Sequence, residues 1–231
     1  MKHYSCLKAG VAALWLISAN SHATGVVPET SVVIVEQAEG EGAINVKNTD
    51  EFPVLLVTTL IDTADDPEAL LIVTPPAARL EPGKIQRVRF ILTGPPGATE
   101  RLKRVTFDGI APQQKGQNEV RTTVRQNLPV IIRPAGLERD YAPWKRLTWR
   151  LNGNQLSVSN PSPYVVRLSQ AIETLPGNTP WTLPNAYVLP GQTVTVAADG
   201  DQPPGPATQV RLSPATTWGY SVDIHDADLS Q

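Results

Sequence analysis

Short apolar runs separated by turn clusters recur along this chain at intervals of roughly 8 to 12 residues, and few stretches carry a helical period. Ser31 to Val35 reads as a first strand, and Ile44 to Asn48 alternates as a second after the Gly40-Glu-Gly42 turn. Val54 to Ile61 is apolar enough for a central strand, and Leu70 to Val73 follows a polar loop. Two prolines stop that strand, and the Pro82-Gly83 pair turns the chain into an alternating segment with Val88, Phe90 and Leu92 on one face. The stretch Glu119 to Pro134 changes character midway. Val120, Thr122 and Val124 alternate with Arg121, Thr123 and Arg125, as on an edge strand, whereas Val130 to Ile132 is continuously apolar. Pro129 marks the change; lacking an N–H, it fits an edge, a bulge or a switch between sheets.

The pattern restarts after Pro134-Ala-Gly136 and the polar run Leu137 to Arg146, which places a domain boundary near residue 136. Leu147, Trp149 and Leu151 alternate, Asn152-Gly-Asn154 signals a hairpin, and Leu156 and Val158 return on the other arm. Tyr164 to Leu168, Ala186 to Leu189, Thr193 to Val196, Val210 to Leu212 and Trp218 to Ile224 supply further strands. Trp149, Trp181 and Trp218 are expected to be packing residues. The predicted organisation is a leader over residues 1–23, a first domain over 24–136 and a second over 137–231.

The leader is read from Lys2 and Lys8, the apolar segment Ala9 to Ile17 and the small-x-small pattern at Ser21-His22-Ala23, a secretory signal cleaved after Ala23. Its removal prunes the available chemistry. Cys6, Met1, His3 and His22 leave, so the remainder has no thiol and a single histidine, His225. That excludes a disulfide framework, a thiol nucleophile and a Cys/His zinc site. The formal charge of −2 becomes more negative without Lys2 and Lys8, which argues against a nucleic-acid partner. The cluster around His225 reads as a solvated tail, and Asp62, Asp65, Asp66 and Glu68 as a polar loop without calcium-loop spacing. Neither phosphate-binding nor nucleophile-elbow motifs occur, and no cofactor is expected.

Four motifs then appear in order: Thr74-Pro-Pro followed by Arg79-Leu-Glu-Pro-Gly83; Glu100 to Phe107 with Ile110-Ala-Pro112; Arg133-Pro134; and Asn160-Pro-Ser-Pro-Tyr164. Together they resemble the periplasmic chaperones of the chaperone-usher pilus pathway. The resemblance implies an all-β protein of two immunoglobulin-like sandwiches set at an angle with a cleft between them. It further implies a non-enzymatic role in the periplasm: binding incomplete pilus or fimbrial subunits by lending them a strand and passing them to an outer-membrane usher. Carried onto this chain, the lending strand is residues 119–132, with Val120, Thr122, Val124, Arg125 and Leu128 as subunit-binding residues. A self-capping homodimer is a further expected partner, since exposed strands pair readily.

Where well-studied members carry an arginine and a lysine that grip the subunit's terminal carboxylate, this chain has Ser31, or a residue near it, and Pro129. Arg125, in alternation with Pro129, is the expected substitute, with Arg121, Lys103 and Arg104 behind it. Glu100 and Arg133 match a structural pair near the hinge, whereas the third, acidic member is missing from its expected neighbourhood, Thr217-Trp-Gly219. Two other classes stay open on the residues: a two-sandwich adhesin using Trp144, Trp181 or Trp218 as a sugar platform, and a carboxylate-only periplasmic enzyme.

Overall fold

The computed structural model describes residues 25–94, 97–112, 124–198 and 205–230. The leader, Val120 and Thr122 lie outside these residues. The first domain consists of β1 (Val26–Pro28), β2 (Val33–Glu36), β3 (Glu41–Asn48), β4 (Val54–Ile61), β5 (Leu71–Thr74), β6 (Ala77–Leu80), β7 (Ile85–Leu92), β8 (Arg101–Ile110) and β9 (Arg125–Arg133). Their hydrogen-bonded order is β5-β7-β3-β2-β9-β8-β4-β6, with β1 alongside β3. This path curls into two layers joined through β2, which runs antiparallel to β3 and parallel to β9. The alternating positions explain the curl. Ile44 and Val46 of β3 and Val88 and Phe90 of β7 share one core with Leu56 of β4, Val105 and Phe107 of β8 and Val130 of β9, so the two halves face each other.

After a 3₁₀ turn at Pro143–Arg146, the second domain contains β10 (Thr148–Asn152), β11 (Gln155–Ser159), β12 (Val166–Leu168), β13 (Ala171–Leu175), β14 (Thr179–Thr182), β15 (Tyr187–Val188), β16 (Thr193–Ala197), β17 (Gln209–Leu212), β18 (Pro214–Ala215) and β19 (His225–Asp228). These form sheets β10-β11-β16, β15-β12-β18 and β14-β13-β17-β19. Trp149 and Trp181 are fully buried among Leu156, Val158, Val210 and Leu212, and the Trp181 indole donates to Thr174 Oγ1 at 3.1 Å. The hairpin predicted at Asn152-Gly-Asn154 joins β10 to β11, with Gly153 at φ +58°. The fold is therefore all-β, as the alternation implied.

Three expectations about the second domain are corrected. Trp218 to Ile224 forms turns, with one isolated bridge at Ser221, because the Pro214–Ala215 strand ends in a tight turn closed by Thr216. The supposed solvated tail at His225 is instead the edge strand β19, held on β17 in a register that pairs Arg211 with Asp226 at 2.8 Å. Trp218 is half-exposed and stacks on Tyr141, their ring centroids 5.3 Å apart.

One device occurs in both domains. Asn48 ends β3, is fully buried, and donates through Nδ2 to the carbonyls of Phe52 and Leu80, both at 2.9 Å, while its Oδ1 accepts the Asp50 N–H. Asn160 follows β11 and repeats the arrangement with the carbonyls of Tyr164 and Val188 at 2.7 and 3.0 Å and the Ser162 N–H at 3.1 Å. Each asparagine also exchanges backbone hydrogen bonds with a Pro-Gly turn, Asn48 with Gly83 and Lys84, and Asn160 with Gly191 and Gln192. The glycines stand at φ +70° and +72°, where a side chain is strained. Replacing Asn160 by alanine orphans two buried carbonyls and an N–H, and is expected to cost about 2–4 kcal/mol in urea unfolding; Asn48→Ala is expected to cost as much.

Candidate functional site

The strand β9 lives in two environments. From Val130 to Arg133 it is flanked by β8 on one side and by β2, starting at Val33, on the other. From Arg125 to Pro129 it pairs with β8 alone, opposite Asp108 to Arg104, so among the described residues this half presents a free edge. Pro129 is the last residue before β2 begins, where the missing N–H removes no ladder bond to β2. Val124, just before the strand, is 47% exposed. Arg125 is exposed and donates from Nε to Asp108 Oδ1 at 2.7 Å. Leu128 points the other way, into the first domain's own core, at 7% exposure.

This free edge runs into a cleft of about 590 Å³ between the domains. One wall carries Ser31, Leu102, Arg104 and residues 126–129; the other carries Arg167, Ala186 and Tyr187. Ser31 and Pro129 thus both line the cleft, and neither brings charge. Arg125 is not among its lining residues. Lys103 is also elsewhere: its ammonium is buried in the acidic loop, 2.9 Å from Asp66, 3.2 Å from Asp62 and hydrogen-bonded to the carbonyls of Asp66 and Glu68. Arg101 closes that loop by pairing with Asp66 and Glu68. The loop is therefore a clamp around a buried lysine, which composition alone did not reveal. Desolvation would raise the Asp66 carboxyl, but the Arg101 and Lys103 contacts outweigh it and hold the group below its ordinary value.

The cleft's geometry depends on contacts beneath it. Glu100 and Arg133 meet at 3.2 Å, at side-chain exposures of 1% and 5%. The other Glu100 oxygen accepts the Val165 N–H from the second domain at 2.9 Å, and the Glu100 N–H donates to the Pro163 carbonyl at 2.8 Å. Burial pushes the Glu100 carboxyl up, against the Val165 N–H and the Arg133 charge. Arg133 also donates to Glu36 at 3.0 Å and to the Leu137 carbonyl at 3.2 Å, so Glu36 is a second acidic partner that the sequence did not single out. Val32, Leu102, Ile131 and Val165 form an apolar cluster shared by the two domains. At the rim, the Tyr187 hydroxyl donates to Asp65 at 3.1 Å, and Gly219 lies so close to Ser31 that a Cβ would fall 2.2 Å from its hydroxyl.

The residues proposed for other chemistries are placed differently. Trp144 and Trp181 are buried, at 7% and 1%, and Trp218 is covered on one face by Tyr141, leaving no open aromatic platform among them. Among the described residues, no cluster of His, Cys, Asp and Glu could hold a metal ion. Sequence reasoning missed Arg167. Its signal was an arginine between Val166 and Leu168, the outward position of a strand whose neighbours are apolar.

Residues 25–138 match the family model described as pili and flagellar-assembly chaperone, PapD N-terminal domain, and residues 142–225 match the pili assembly chaperone PapD C-terminal domain. The uncharacterized fimbrial chaperone YhcA of Escherichia coli (strain K12) is 42% identical over 214 residues, which cover 92% of this chain and 94% of the relative. The chaperone protein PsaB of Yersinia pestis is 29% identical over 167 residues, 64% of this chain and 61% of its own length. Among solved structures, the Salmonella enterica SafA pilin in complex with the SafB chaperone matches with a TM-score of 0.72 at 23% identity, covering 90% of this chain and 98% of that one. The E. coli chaperone DraB matches with a TM-score of 0.69 at 23% identity, covering 90% and 97%.

Two outcomes are expected. Glu100→Ala removes the acceptors of both the Val165 N–H and Arg133 in a buried setting and is expected to cost about 3–5 kcal/mol in chemical unfolding. Asp66 has a lower pKa folded than unfolded, so its contribution is complete above the unfolded value of about 4 and is lost as pH falls through the lowered folded value. Glu100, whose carboxyl is raised, acts in the opposite sense. Urea titrations between pH 7 and pH 3 on wild type and Asp66→Asn are expected to show that the variant is less stable at pH 7 and loses less on acidification.

Proposed function

The chain belongs to the family of pilus and flagellar-assembly chaperones, and from that premise we propose that it holds fimbrial subunits on the free edge of β9. It is a fimbrial chaperone; the proposal concerns how it works. The observation that carries the reading is the split character of β9, anchored between β8 and β2 from Val130 onward and paired on one side only from Arg125 to Pro129. An incomplete subunit fold gains its missing strand along that edge, and Val120, Thr122 and Val124 continue the alternation as side chains that enter its groove. Each buried valine contributes roughly 1.5–3 kcal/mol before ordering and association costs. Leu128 supports the strand from the chaperone's own core and lines the floor of the cleft beside it.

The setting follows from the same premise. Residues 1–23 direct export and are removed, the chain acts in the periplasm, and the loaded complex is delivered to an outer-membrane usher. Without a client the edge is open to a second copy, which gives the self-capped homodimer. The role requires binding and release only, with no catalytic step and no cofactor. The Salmonella enterica SafB chaperone, which shares this fold, is in complex with the SafA pilin. That neighbour supports a pilin-class client here.

Strand donation is tested with a pilin of the source organism co-produced in its periplasm with the mature chain. Changing Val120 and Val124 together to aspartate is expected to weaken pilin binding at least about 100-fold, with an unchanged melting temperature for the free chain. Retention of a stoichiometric complex by native mass spectrometry would refute strand donation at these positions.

A further inference from the structure

Val166 and Leu168 enter the core of the second domain, so the alternation of β12 sends Arg167 to the opposite face, onto the cleft wall beside its cross-strand neighbour Tyr187. Its Nη1 atom is buried there with no hydrogen-bond partner, and Arg167 forms no ion pair among the described residues. The charge that acts on it is of the same sign. Arg104 of β8 lines the same cleft, and desolvation together with the Arg104 charge holds the Arg167 guanidinium below its ordinary value. Among the described residues Arg104 has no carboxylate partner either; it donates to Asn127 of β9, at 2.7 Å to the side-chain oxygen and 3.1 Å to the carbonyl.

The acids at the rim are otherwise engaged. Glu29 accepts the Asn45 N–H and the Asn45 side-chain amide, both at 2.9 Å, and Asp65 accepts the Tyr187 hydroxyl. Two guanidinium groups therefore face one cleft with no anion between them among the described residues. A partly buried, unpartnered arginine is unfavourable by itself, and a planar carboxylate would satisfy it in a two-pronged geometry that no neutral group offers. The cleft is also continuous with residues 126–129 of the free edge, so a chain paired on that edge reaches the two arginines.

We propose that Arg167, assisted by Arg104, is a carboxylate-binding site for the client chain, in which the second domain supplies the principal cation. The assignment rests on the client-binding role proposed above. It moves the anchoring charge from Arg125, which is paired with Asp108 outside the cleft, to the opposite domain.

The test compares wild type, Arg167→Met and Arg167→Lys for binding of the same co-produced pilin, and for melting temperature of the free chain. Arg167→Met is expected to bind pilin at least tenfold more weakly while melting no lower than wild type, because it removes an unpartnered cation. Arg167→Lys is expected to recover part of the binding. Wild-type binding by Arg167→Met overturns the site, as does a loss of binding matched by a loss of melting temperature, which would mark a structural residue. A pilin lengthened by three residues at its C-terminus distinguishes the chain-terminal carboxylate, whose displacement weakens binding to wild type, from an internal Asp or Glu, which leaves it unchanged. Failure of wild type to bind any pilin refutes the client-binding role; binding by wild type and Arg167→Met alike overturns this inference alone.

Discussion

The carboxylate of Glu100 is the point at which two domains and three strands are joined. It begins at the foot of β8, pairs with the end of β9 through Arg133, and reaches the second domain through the Val165 amide. Arg133 extends the connection to Glu36 at the end of β2. Glu100 and Arg133 are buried away from water, and Glu36 is partly so. In that setting each group depends on the others for its charge to be tolerated, so the arrangement is held as a unit. The walls of the cleft, and with them the relative placement of Arg104 and Arg167, are fixed from this junction outward.

That junction also explains how one strand can be both structural and available. Beyond Val130, β9 is an interior strand whose loss would open the core; before Pro129 it is an edge with no described strand paired on its outer side. An edge that is offered to partners is ordinarily a liability in a soluble protein. Here the exposed half carries Arg125, Asn127 and Pro129 on one face, residues that discourage indiscriminate pairing, while the firmly held half keeps the register fixed.

Much of this was legible in the residues. Alternation located most strands of the first domain to within a few positions, the Pro-Gly and Asn-Gly turns were read correctly, and the change of character at Pro129 coincides with the start of the β2 pairing. What escaped was long-range. Nothing local distinguishes Lys103 from its neighbours Arg101 and Arg104, yet only Lys103 is enclosed by the 62–68 loop. Glu36 meets Arg133 across 97 positions of sequence. Arg167 looked like one more outward residue of a short strand, because its significance comes from a wall built by the other domain. The His225 segment was misread for a related reason: a strand of alternating polar residues carries little hydrophobic signal, and only its pairing with β17 reveals it.

The paired asparagine latches bear on how the protein ages. Asparagine is lost over time when the backbone nitrogen of the following residue attacks the side-chain amide and closes a five-membered ring. Asn160 is followed by Pro161, whose nitrogen carries no hydrogen and sits within a ring of its own. Asn48 is followed by Thr49, whose N–H is committed to the Gly25 carbonyl at 2.9 Å. Both side-chain amides are in turn held by two carbonyls each. The two amides on which the sandwiches close are thereby shielded from the commonest spontaneous damage to their residue type, by two different means, so the resting chaperone keeps its shape over long waits between clients.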